Sequence, residues 1–529
     1  MKKLFNISLL ALALIFIVTA CTKDLDVVPL DPDEVTSENI YKDPAAYKQV
    51  LAKLYAGLSV SGQEGPSGQP DISGIDEGFG QYLRGFWYHQ ELTTDEAVIG
   101  WNDQTIKDYH YQTWGSSDVF ISAFYYRIFY QIALCNEYIR ETTDEKLAER
   151  GVSDALKAEV ANYRAEARFL RALSYYHALD LFANVPFVTE KDKVGAFFPM
   201  QTNRTDLFAY IESELKAIES NIVAARQNDY GRADRAAVQT LLAKLYLNAQ
   251  VYTGTGKYNE CVDYCSRVIS SGYSLEPTYN HLFLADNNLC SNEMIFPVTF
   301  DGMHTRTWGG TTFLVHAAIG GSMVPAEFGV DGGWGGLRTT SAFVNKFEDI
   351  TGATDKRAQF YTDGQNLEIV DMANFTDGYA IKKFRNVNRS GNIGSNATFP
   401  DTDFPMFRLA DVYLMYAEAT LRGGNGNAGD ALNYVNLIRA RAYGNASGNI
   451  TSGELTEDFI LDERARELYW EGHRRTDLIR FGKFTGGSYL WPWKGKVAGG
   501  ASTSDIYNIF PIPSADVNAN PNLKQNTGY

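Results

Sequence analysis

Hydrophobic positions between Asp234 and Gly272 follow the period of two α-helices separated by a turn. On either side of residues 253–256, apolar side chains recur at three- and four-residue steps: Val238, Leu241, Leu242, Leu245, Ala249 and Tyr252, then Tyr258, Val262, Cys265, Val268 and Ile269. Asp234 is placed to cap the first helix, and glycines in the turn end it. A helical hairpin of about 35 residues ended by a glycine has the length and pattern of a tetratricopeptide unit. One such pair cannot bury both of its faces, so we expect further helices to stack on it.

The same helical period returns elsewhere in the chain. It predicts helices over residues 44–58, 119–142, 153–182, 205–226, 407–422, 430–442 and 456–484. Residues 61–118 and 275–400 instead carry glycine clusters, polar loops and few helical periods, and loops of such length are usually functional. The predicted fold is therefore mainly α, a tetratricopeptide-like scaffold of helical pairs with a large, irregular, loop-rich ligand-binding region. The scaffold is assigned to residues of about 40–60, 119–272 and 407–484.

The first twenty residues have the pattern of a secretory signal peptide. Two lysines precede an apolar run over residues 9–18, which is too short to span a bilayer as a permanent helix. Residues 18–21 fit a bacterial lipobox, in which Cys21 carries the lipid; the alternative is a chance cysteine beside an ordinary cleavage site. We therefore expect residues 1–20 to be removed and residues 21–529 to be anchored to a membrane that they do not cross.

Charge and aromatic content narrow the class of ligand. The chain has 64 acidic and 48 basic residues and a net charge of −16, which disfavours nucleic acids and anionic lipid headgroups as partners. It also has 32 Tyr, 30 Phe and 8 Trp, more aromatic surface than a helical core normally uses. Both features favour a neutral ligand that stacks on aromatic side chains.

Sequence motifs give little support to an enzyme. Residues 424–429 match the dinucleotide pattern GxGxxG, but they join two predicted helices and follow no strand, so we interpret them as a turn. The sequence has no P-loop, and its seven scattered histidines do not supply a metallohydrolase site. The remaining enzymatic alternative is a glycoside hydrolase that uses acids within residues 61–104, namely Asp76, Glu77, Glu91, Asp95 and Glu96.

Two acidic residues near position 400 are a candidate metal site. Asp401 and Asp403 lie two positions apart ahead of a predicted helix, and Asn288 belongs to an Asp-Asn-Asn loop that offers further oxygen ligands. Oxygen donors of this kind suit a structural Ca²⁺ ion. The alternative is a turn that caps the following helix.

The C-terminal helical stretch carries a family resemblance. Its arginines and acids lie three or four positions apart, the spacing of ion pairs within a helix. Residues 463–475, Glu-Arg-Ala-Arg-Glu-Leu-Tyr-Trp-Glu-Gly-His-Arg-Arg, resemble the C-terminal signature of the SusD/RagB family of surface glycan-binding lipoproteins. Residues 164–176, 407–419 and 510–513 are similar to other segments of that family. With the lipobox, the resemblance covers the whole mature chain as one domain, residues 21–529.

The resemblance implies both a fold and a function. Family members have a tetratricopeptide-like scaffold, bind oligosaccharides outside the cell, and cover SusC-like TonB-dependent outer-membrane transporters; they are not enzymes. The resemblance therefore implies a lipid-anchored outer-membrane protein, exposed on the cell surface, that delivers glycan to such a transporter. Starch-type α-glucans are the implied ligands, and another neutral glycan such as a fructan is the alternative.

Within the family, residues 69–78, 91–96 and 489–495 are most similar to the starch-binding branch. Carried over position by position, that resemblance implies ligand contacts at Asp76, Arg84, Trp101, Gln104, Trp308 and Trp334. It also implies a calcium site at Asp401 and Asp403. These residue types suit a sugar, because a pyranose ring stacks its C–H face on Trp while Asp and Arg can each bind two hydroxyls. Two positions depart from the branch: Ile99 replaces an aromatic residue, and Gln104 replaces Asn.

Overall fold

The computed structural model describes residues 37–63, 65–66 and 70–529. Cys21 and the predicted signal peptide lie outside these ranges, so the lipobox prediction rests on sequence. None of the helices in the described ranges combines the length and hydropathy that a membrane span requires.

Helices dominate the described part of the chain, as the mainly α prediction requires. Their bounds are α1 Ser37–Ile40, α2 Ala46–Ser59, α3 Tyr82–Gln90, α4 Gln104–Tyr111, α5 Val119–Glu141, α6 Asp144–Glu149, α7 Asp154–Phe182, α8 Arg204–Glu219, α9 Arg235–Leu247, α10 Ala249–Thr253, α11 Tyr258–Ile269, α12 Gly310–Ala317, α13 Ser341–Val344, α14 Leu409–Leu421, α15 Ala428–Tyr443, α16 Glu457–Leu468, α17 Arg474–Arg480 and α18 Ser514–Ala519. Short 3₁₀ helices cover Tyr279–Phe283, Asn287–Cys290, Pro325–Phe328, Ala446–Gly448, Lys494–Lys496 and Asp505–Asn508.

The helices pack on one another around one large apolar core. Helix α5 packs on α7, α7 on α8, α9 on α11, α11 on α14, and α14 on α15. The hairpin predicted over residues 234–272 is present as α9 to α11, and Asp234 Oδ1 caps α9 by accepting hydrogen bonds from the Ala236 and Ala237 N–H groups at 2.8 and 3.1 Å. The tetratricopeptide-like scaffold is confirmed.

Short strands connect the loop-rich regions to each other and to the scaffold. The strands are β1 Val98–Ile99, β2 Val185–Pro186, β3 Gln201–Thr202, β4 Met294–Val298, β5 Leu337–Arg338, β6 Phe360–Tyr361, β7 Ala380–Ile381 and β8 Phe404–Arg408. They form four antiparallel pairs, β1–β5, β2–β3, β4–β8 and β6–β7. In the first pair Val98 lies opposite Arg338 and Ile99 opposite Leu337, which joins residues 61–118 to residues 275–400.

The C-terminal arginines were predicted to form ion pairs within one helix, but most of them pair with acids of other elements. The helix predicted over residues 456–484 is two helices, α16 and α17, and the backbone between them turns at Trp470 with φ 63°. Four of the arginines, Arg464, Arg474, Arg475 and Arg480, are buried, and most of the ion pairs in this stretch bridge different elements. Arg474 pairs with Asp95 of the loop region, and Arg480 pairs with Glu418 of α14. Ion pairs within a helix are limited in this stretch to Arg466 with Glu463 and Arg480 with Asp477.

Candidate functional site

Three surface tryptophans lie together where the two loop-rich regions meet. Of the eight tryptophans, four are half-buried, and the other four are buried: Trp87, Trp114, Trp470 and Trp491. The Trp101 and Trp334 ring centroids are 6.4 Å apart with a 43° tilt, and those of Trp308 and Trp334 are 6.2 Å apart with a 59° tilt. Successive tilts make a curved surface, which we call the aromatic arc (Trp101, Trp334 and Trp308).

Backbone contacts fix the two tryptophans at one end of the arc. The Trp101 indole N–H donates to the Trp334 carbonyl oxygen at 3.2 Å. The Trp334 N–H donates to the His316 carbonyl at 2.8 Å, and the two rings stack 5.0 Å apart at 18°. A side chain at Gly336 would place Cβ 2.8 Å from the Trp101 ring, so only glycine lets the chain pass this closely.

Trp308, at the other end of the arc, is held by Glu77. The Glu77 carboxylate accepts hydrogen bonds from the Trp308 N–H at 3.0 Å and the Thr307 hydroxyl at 2.7 Å. Burial raises the pKa of Glu77, and these two hydrogen bonds act in the opposite direction. The Trp308 ring packs against Phe399 with centroids 5.0 Å apart. Trp308 is therefore preorganised by its backbone and by its ring.

Asp76 and Arg84 lie beside Trp308. The Arg84 guanidinium donates to the Trp308 carbonyl at 2.9 Å and lies 4.4 Å from the Phe313 ring centroid. Asp76 is exposed, and its Oδ1 accepts hydrogen bonds from two N–H groups of the following turn. A Cβ built on Gly78 would lie 2.9 Å from Arg84 Nη1 and 3.3 Å from Asp76 Oδ1, so the two side chains meet at that glycine. The arc thus has a polar edge with one donor and one acceptor.

The structure places Gln104 and Ile99 outside the arc. Gln104 begins α4, is exposed, and donates to Asp108 Oδ1 at 2.9 Å. Within the described part of the chain, no hydrogen bond connects its side chain to the arc. Ile99 is buried in β1, so the departure at this position leaves the exposed surface unchanged.

Sequence reasoning missed the side chains that support the arc. Phe313 lies under Arg84 and has its ring centroid 6.1 Å from that of Trp101; His316 lies under Trp334, and Phe399 against Trp308. Phe313 and His316 are three residues apart on α12, the helix that begins at the second glycine of Gly309-Gly310. That spacing places both side chains on one face of the helix, and it is the sequence pattern that could have identified them as a pair.

The candidate catalytic acids of residues 61–104 are largely committed to the protein interior. Glu91 is buried and accepts hydrogen bonds from the N–H groups of residues 472 and 473 at 2.6 and 3.1 Å. Asp95 is buried and accepts two hydrogen bonds from Arg474, at 2.7 and 2.8 Å. Burial raises the pKa of Asp95, but the charge and hydrogen bonds of Arg474 outweigh this effect and lower the pKa to about 2. Glu96 is buried beside them and Glu77 holds Trp308, so these acids do not flank a sugar bond as a glycosidase pair must.

The predicted metal residues line one cleft. A cleft of about 360 Å³ is lined by Asn288, Asp401 and Asp403, and also by Asp301. Asp403 is buried, which raises its pKa to about 7, and both of its oxygens accept hydrogen bonds, from the Phe300 N–H and the Tyr230 hydroxyl, each at 2.8 Å. Among the described residues no three His, Cys, Asp or Glu side chains converge as a metal site. The oxygen donors suit Ca²⁺ chemically, and each carboxylate oxygen has a second lone pair, so amide, carbonyl or water oxygens would complete the ligands.

The helix-capping alternative for these two acids is wrong. Residues 404–408 form strand β8, and the helix begins only at Leu409, so Asp401 and Asp403 precede a strand. Asp401 instead accepts hydrogen bonds from the Gly302 N–H at 2.8 Å and from the Ser395 hydroxyl at 2.6 Å. It holds two loops together.

A mainly helical scaffold that presents a preorganised aromatic surface is the architecture of a binding protein, and comparison with known proteins assigns the family. The chain belongs to the SusD family. The model of that family matches residues 348–529. The chain is 38% identical to the starch-binding protein SusD of Bacteroides thetaiotaomicron. The alignment of 575 residues covers 100% of this chain and 99% of the SusD chain. It is 28% identical to the SusD-like protein P25 of Formosa agariphila, covering 62% and 66% of the two chains.

Solved structures show the same fold. A SusD superfamily protein from Parabacteroides distasonis aligns with a TM-score of 0.70 at 25% identity, over 94% of this chain and 100% of that one. Surface glycan-binding protein A from Bacteroides thetaiotaomicron, solved in complex with laminarihexaose, aligns with a TM-score of 0.69 at 21% identity, over 91% and 98%. Proteins of the SusD family bind carbohydrate and are not catalytic, which removes the glycoside hydrolase alternative.

Proposed function

We propose that this protein binds starch-type α-glucans on the aromatic arc and leaves them intact. The observation that carries the proposal is the geometry of the arc, three half-buried tryptophans with centroids 6.2 and 6.4 Å apart and successive tilts of 59° and 43°. An α-linked glucan curves along its length, so a curved aromatic surface can contact successive sugars, each through its apolar C–H face. The starch-binding relative at 38% identity over the whole chain supports the same ligand.

The polar edge of the arc suits sugar hydroxyls. Arg84 is fixed by its hydrogen bonds to the Trp308 carbonyl at 2.9 Å and to the Tyr88 hydroxyl at 2.9 Å. Its guanidinium and the Asp76 carboxylate offer a donor and an acceptor at one end of the ring surface. Because hydroxyl geometry differs between sugars whereas stacking does not, these two side chains are the elements that select the glycan.

An affinity-gel panel of starch, levan, xylan and pectin tests the proposed ligand. Starch is expected to retard the protein, and incubation with maltooligosaccharides is expected to release no new reducing ends. Retardation by levan alone would replace the α-glucan with a fructan, the alternative neutral glycan. Retardation by none of the four would contradict glycan binding by this surface.

We propose that Cys21 carries a lipid that anchors the protein to the outer membrane, exposed on the cell surface beside a SusC-like TonB-dependent transporter. The lipobox at residues 18–21 and the family assignment support this location. Cys21→Ala is expected to move the protein from the membrane fraction to the soluble fraction. Protease accessibility on whole cells tests surface exposure, and co-purification of the transporter with the anchored protein tests the partner.

We also propose that the cleft lined by Asn288, Asp401 and Asp403 binds a structural Ca²⁺ ion. The oxygen-only donor set and the convergence of the three residues on one cleft support it. An ion there would connect the 3₁₀ helix before β4 to the segment that leads into β8, and so stabilise the loop-rich region rather than contact the glycan.

A further inference from the structure

The fourth half-buried tryptophan, Trp493, is part of a second aromatic pair. Its ring centroid lies 6.2 Å from that of Tyr111, which is also half-buried, and the two rings are tilted by 41°. The Trp101 and Trp334 pair of the arc has nearly the same arrangement, 6.4 Å and 43°. Since the other four tryptophans are buried in the core, the half-buried ones all belong to one of these two surfaces.

Trp493 is held rigidly in an unusual conformation. Its φ is 72°, in the left-handed region that bulky residues rarely adopt. Its indole N–H donates to the Ile369 carbonyl at 3.0 Å, and its backbone N–H donates to the Val497 carbonyl at 3.0 Å. Residues forced into this region persist where surrounding contacts determine them, and they cluster at ligand sites. The ring is therefore preorganised, as the arc rings are.

The second pair is connected to the arc through β1 and α4. Val98 of β1 packs beneath Tyr111 and Trp493, and Trp101 lies three residues before α4, the helix that ends at Tyr111. On α4, Gln104, Asp108 and Tyr111 share one face of the helix, and the Gln104 side chain donates to Asp108 at 2.9 Å. Polar side chains thus line the surface from the arc to the second pair.

We propose that Tyr111 and Trp493 form a second glycan subsite, which binds further units of the same neutral polysaccharide chain that occupies the arc. The proposal rests on the proposed function. The two rings receive sugar faces, and Gln104 and Asp108 bind hydroxyls of the units between the subsites. In the described structure Gln104 makes no hydrogen bond to the arc. Its position between the two subsites would give it a role in ligand binding. Lys496 closes the far edge, with Nζ 5.9 Å from the Tyr111 centroid.

A protein partner is the competing occupant of this surface. Val370 and Val497 flank the pair and are 78% and 48% exposed, and exposed apolar side chains also occur in protein interfaces. The half-buried position of the two rings, the hydrogen bond that fixes the Trp493 indole and the polar side chains of α4 favour a glycan. A protein interface predicts no change in glycan affinity when the rings are removed, whereas a glycan subsite predicts a change that depends on chain length.

Calorimetry with maltotriose and maltoheptaose separates these possibilities. The variant is Trp493→Gly, because glycine adopts φ 72° without strain. We expect it to lower maltoheptaose affinity about tenfold while maltotriose affinity stays unchanged, and we expect Tyr111→Ala to have the same effect. Trp334→Ala should weaken both sugars. Phe198→Ala, which removes a 60% exposed ring elsewhere, is the matched control and should change neither.

Each outcome decides one claim. If wild-type affinity for maltoheptaose persists in the Trp493→Gly and Tyr111→Ala variants, the second subsite is wrong while the arc stands. Should Trp493→Gly fail to fold, as judged by circular dichroism, Tyr111→Ala alone decides the question, because Tyr111 has an ordinary helical backbone. Failure of the wild-type protein to bind either sugar would contradict the proposed α-glucan function itself.

Discussion

The carboxylate of Glu77 accepts a hydrogen bond from the backbone N–H of Trp308 at 3.0 Å, across a sequence separation of 231 residues. The same carboxylate accepts a second hydrogen bond from Thr307 at 2.7 Å. One buried acid therefore joins the two loop-rich regions and sets the position of an arc tryptophan. Glu77 therefore positions Trp308, in contrast to the catalytic role that the glycoside hydrolase alternative gave it.

Replacing Glu77 with Gln tests this positioning role. The amide oxygen can accept from the Trp308 N–H and the N–H₂ group can donate to the Thr307 hydroxyl, so two hydrogen bonds to a carboxylate become weaker hydrogen bonds to a neutral amide. We expect maltooligosaccharide affinity to fall about three- to tenfold, with the fold intact by circular dichroism. Glu145→Gln, at an exposed position on α6, is the control. Wild-type affinity in the Glu77→Gln variant would show that the arc does not depend on this contact.

Asp76 and Arg84 are expected to control which glycan is accepted. Asp76→Ala removes hydroxyl recognition but leaves the rings, so it should reduce the ratio of starch affinity to non-glucan affinity. Trp334→Ala removes stacking, which is common to all sugars with an apolar face, so it should weaken every accepted glycan by a similar factor. Calorimetry of both variants with two glycans measures the ratio. A uniform loss in Asp76→Ala would contradict a selective role.

Helix positions could be predicted closely from the sequence because their signals are local. Ser153 caps α7 and Asp118 caps α5 with side-chain oxygens, and both helices begin at the residue after the cap. The break at Trp470 and the buried arginines could not be predicted. Arg474 and Asp95 are 379 residues apart, and such a pair leaves no periodic pattern in the sequence.

The site could be predicted in part, and through family resemblance rather than periodicity. The residues brought together are Asp76, Arg84, Trp101, Trp308 and Trp334, whereas the Gln104 side chain, at the start of α4, is hydrogen-bonded to Asp108 instead. Aromatic composition alone was misleading, because it assigned to the surface rings that belong to the core. Trp87 and Trp470, for example, pack edge to face 5.6 Å apart in the interior. Composition counts aromatic rings but does not locate them.

The buried ion pair between Glu418 and Arg480 predicts acid sensitivity. Arg480 donates to both Glu418 oxygens at 2.6 and 2.7 Å in a fully buried setting. Burial raises the pKa of Glu418, but Arg480 and Arg422 outweigh this and lower it from 4.5 to about 2. The folded state therefore holds the proton less tightly than the unfolded state. The stabilisation is fully present above pH 4.5 and is lost as the pH falls toward 2.

Urea unfolding of the native protein and Glu418→Gln at pH 7, 5 and 3 measures this effect. The variant should lose about 3–5 kcal/mol at pH 7, because it removes the carboxylate that pairs with both Arg480 and Arg422 and leaves Arg480 to its remaining ion pair with Asp477. It should also show a smaller loss of stability between pH 5 and pH 3 than the native protein. An equal loss in the two proteins would mean that Glu418 does not contribute to acid unfolding.

The calcium proposal predicts that chelation lowers thermal stability. EDTA should reduce the Tm, and Ca²⁺ should restore it, because an ion that binds only the folded state stabilises that state. Asp401→Asn should abolish the calcium-dependent part of the Tm. A melting temperature unchanged by EDTA would count heavily against a metal ion in this cleft.

The central claim is that Trp101, Trp308 and Trp334 bind the glycan, and calorimetry with maltoheptaose on three single alanine variants tests it most directly. Each ring is expected to bury one sugar face, so each substitution should cost about 1–3 kcal/mol, or roughly fivefold to 150-fold in affinity. Circular dichroism confirms that the variants remain folded. If all three folded variants bind maltoheptaose with the affinity of the native protein, the aromatic arc is not the glycan-binding site.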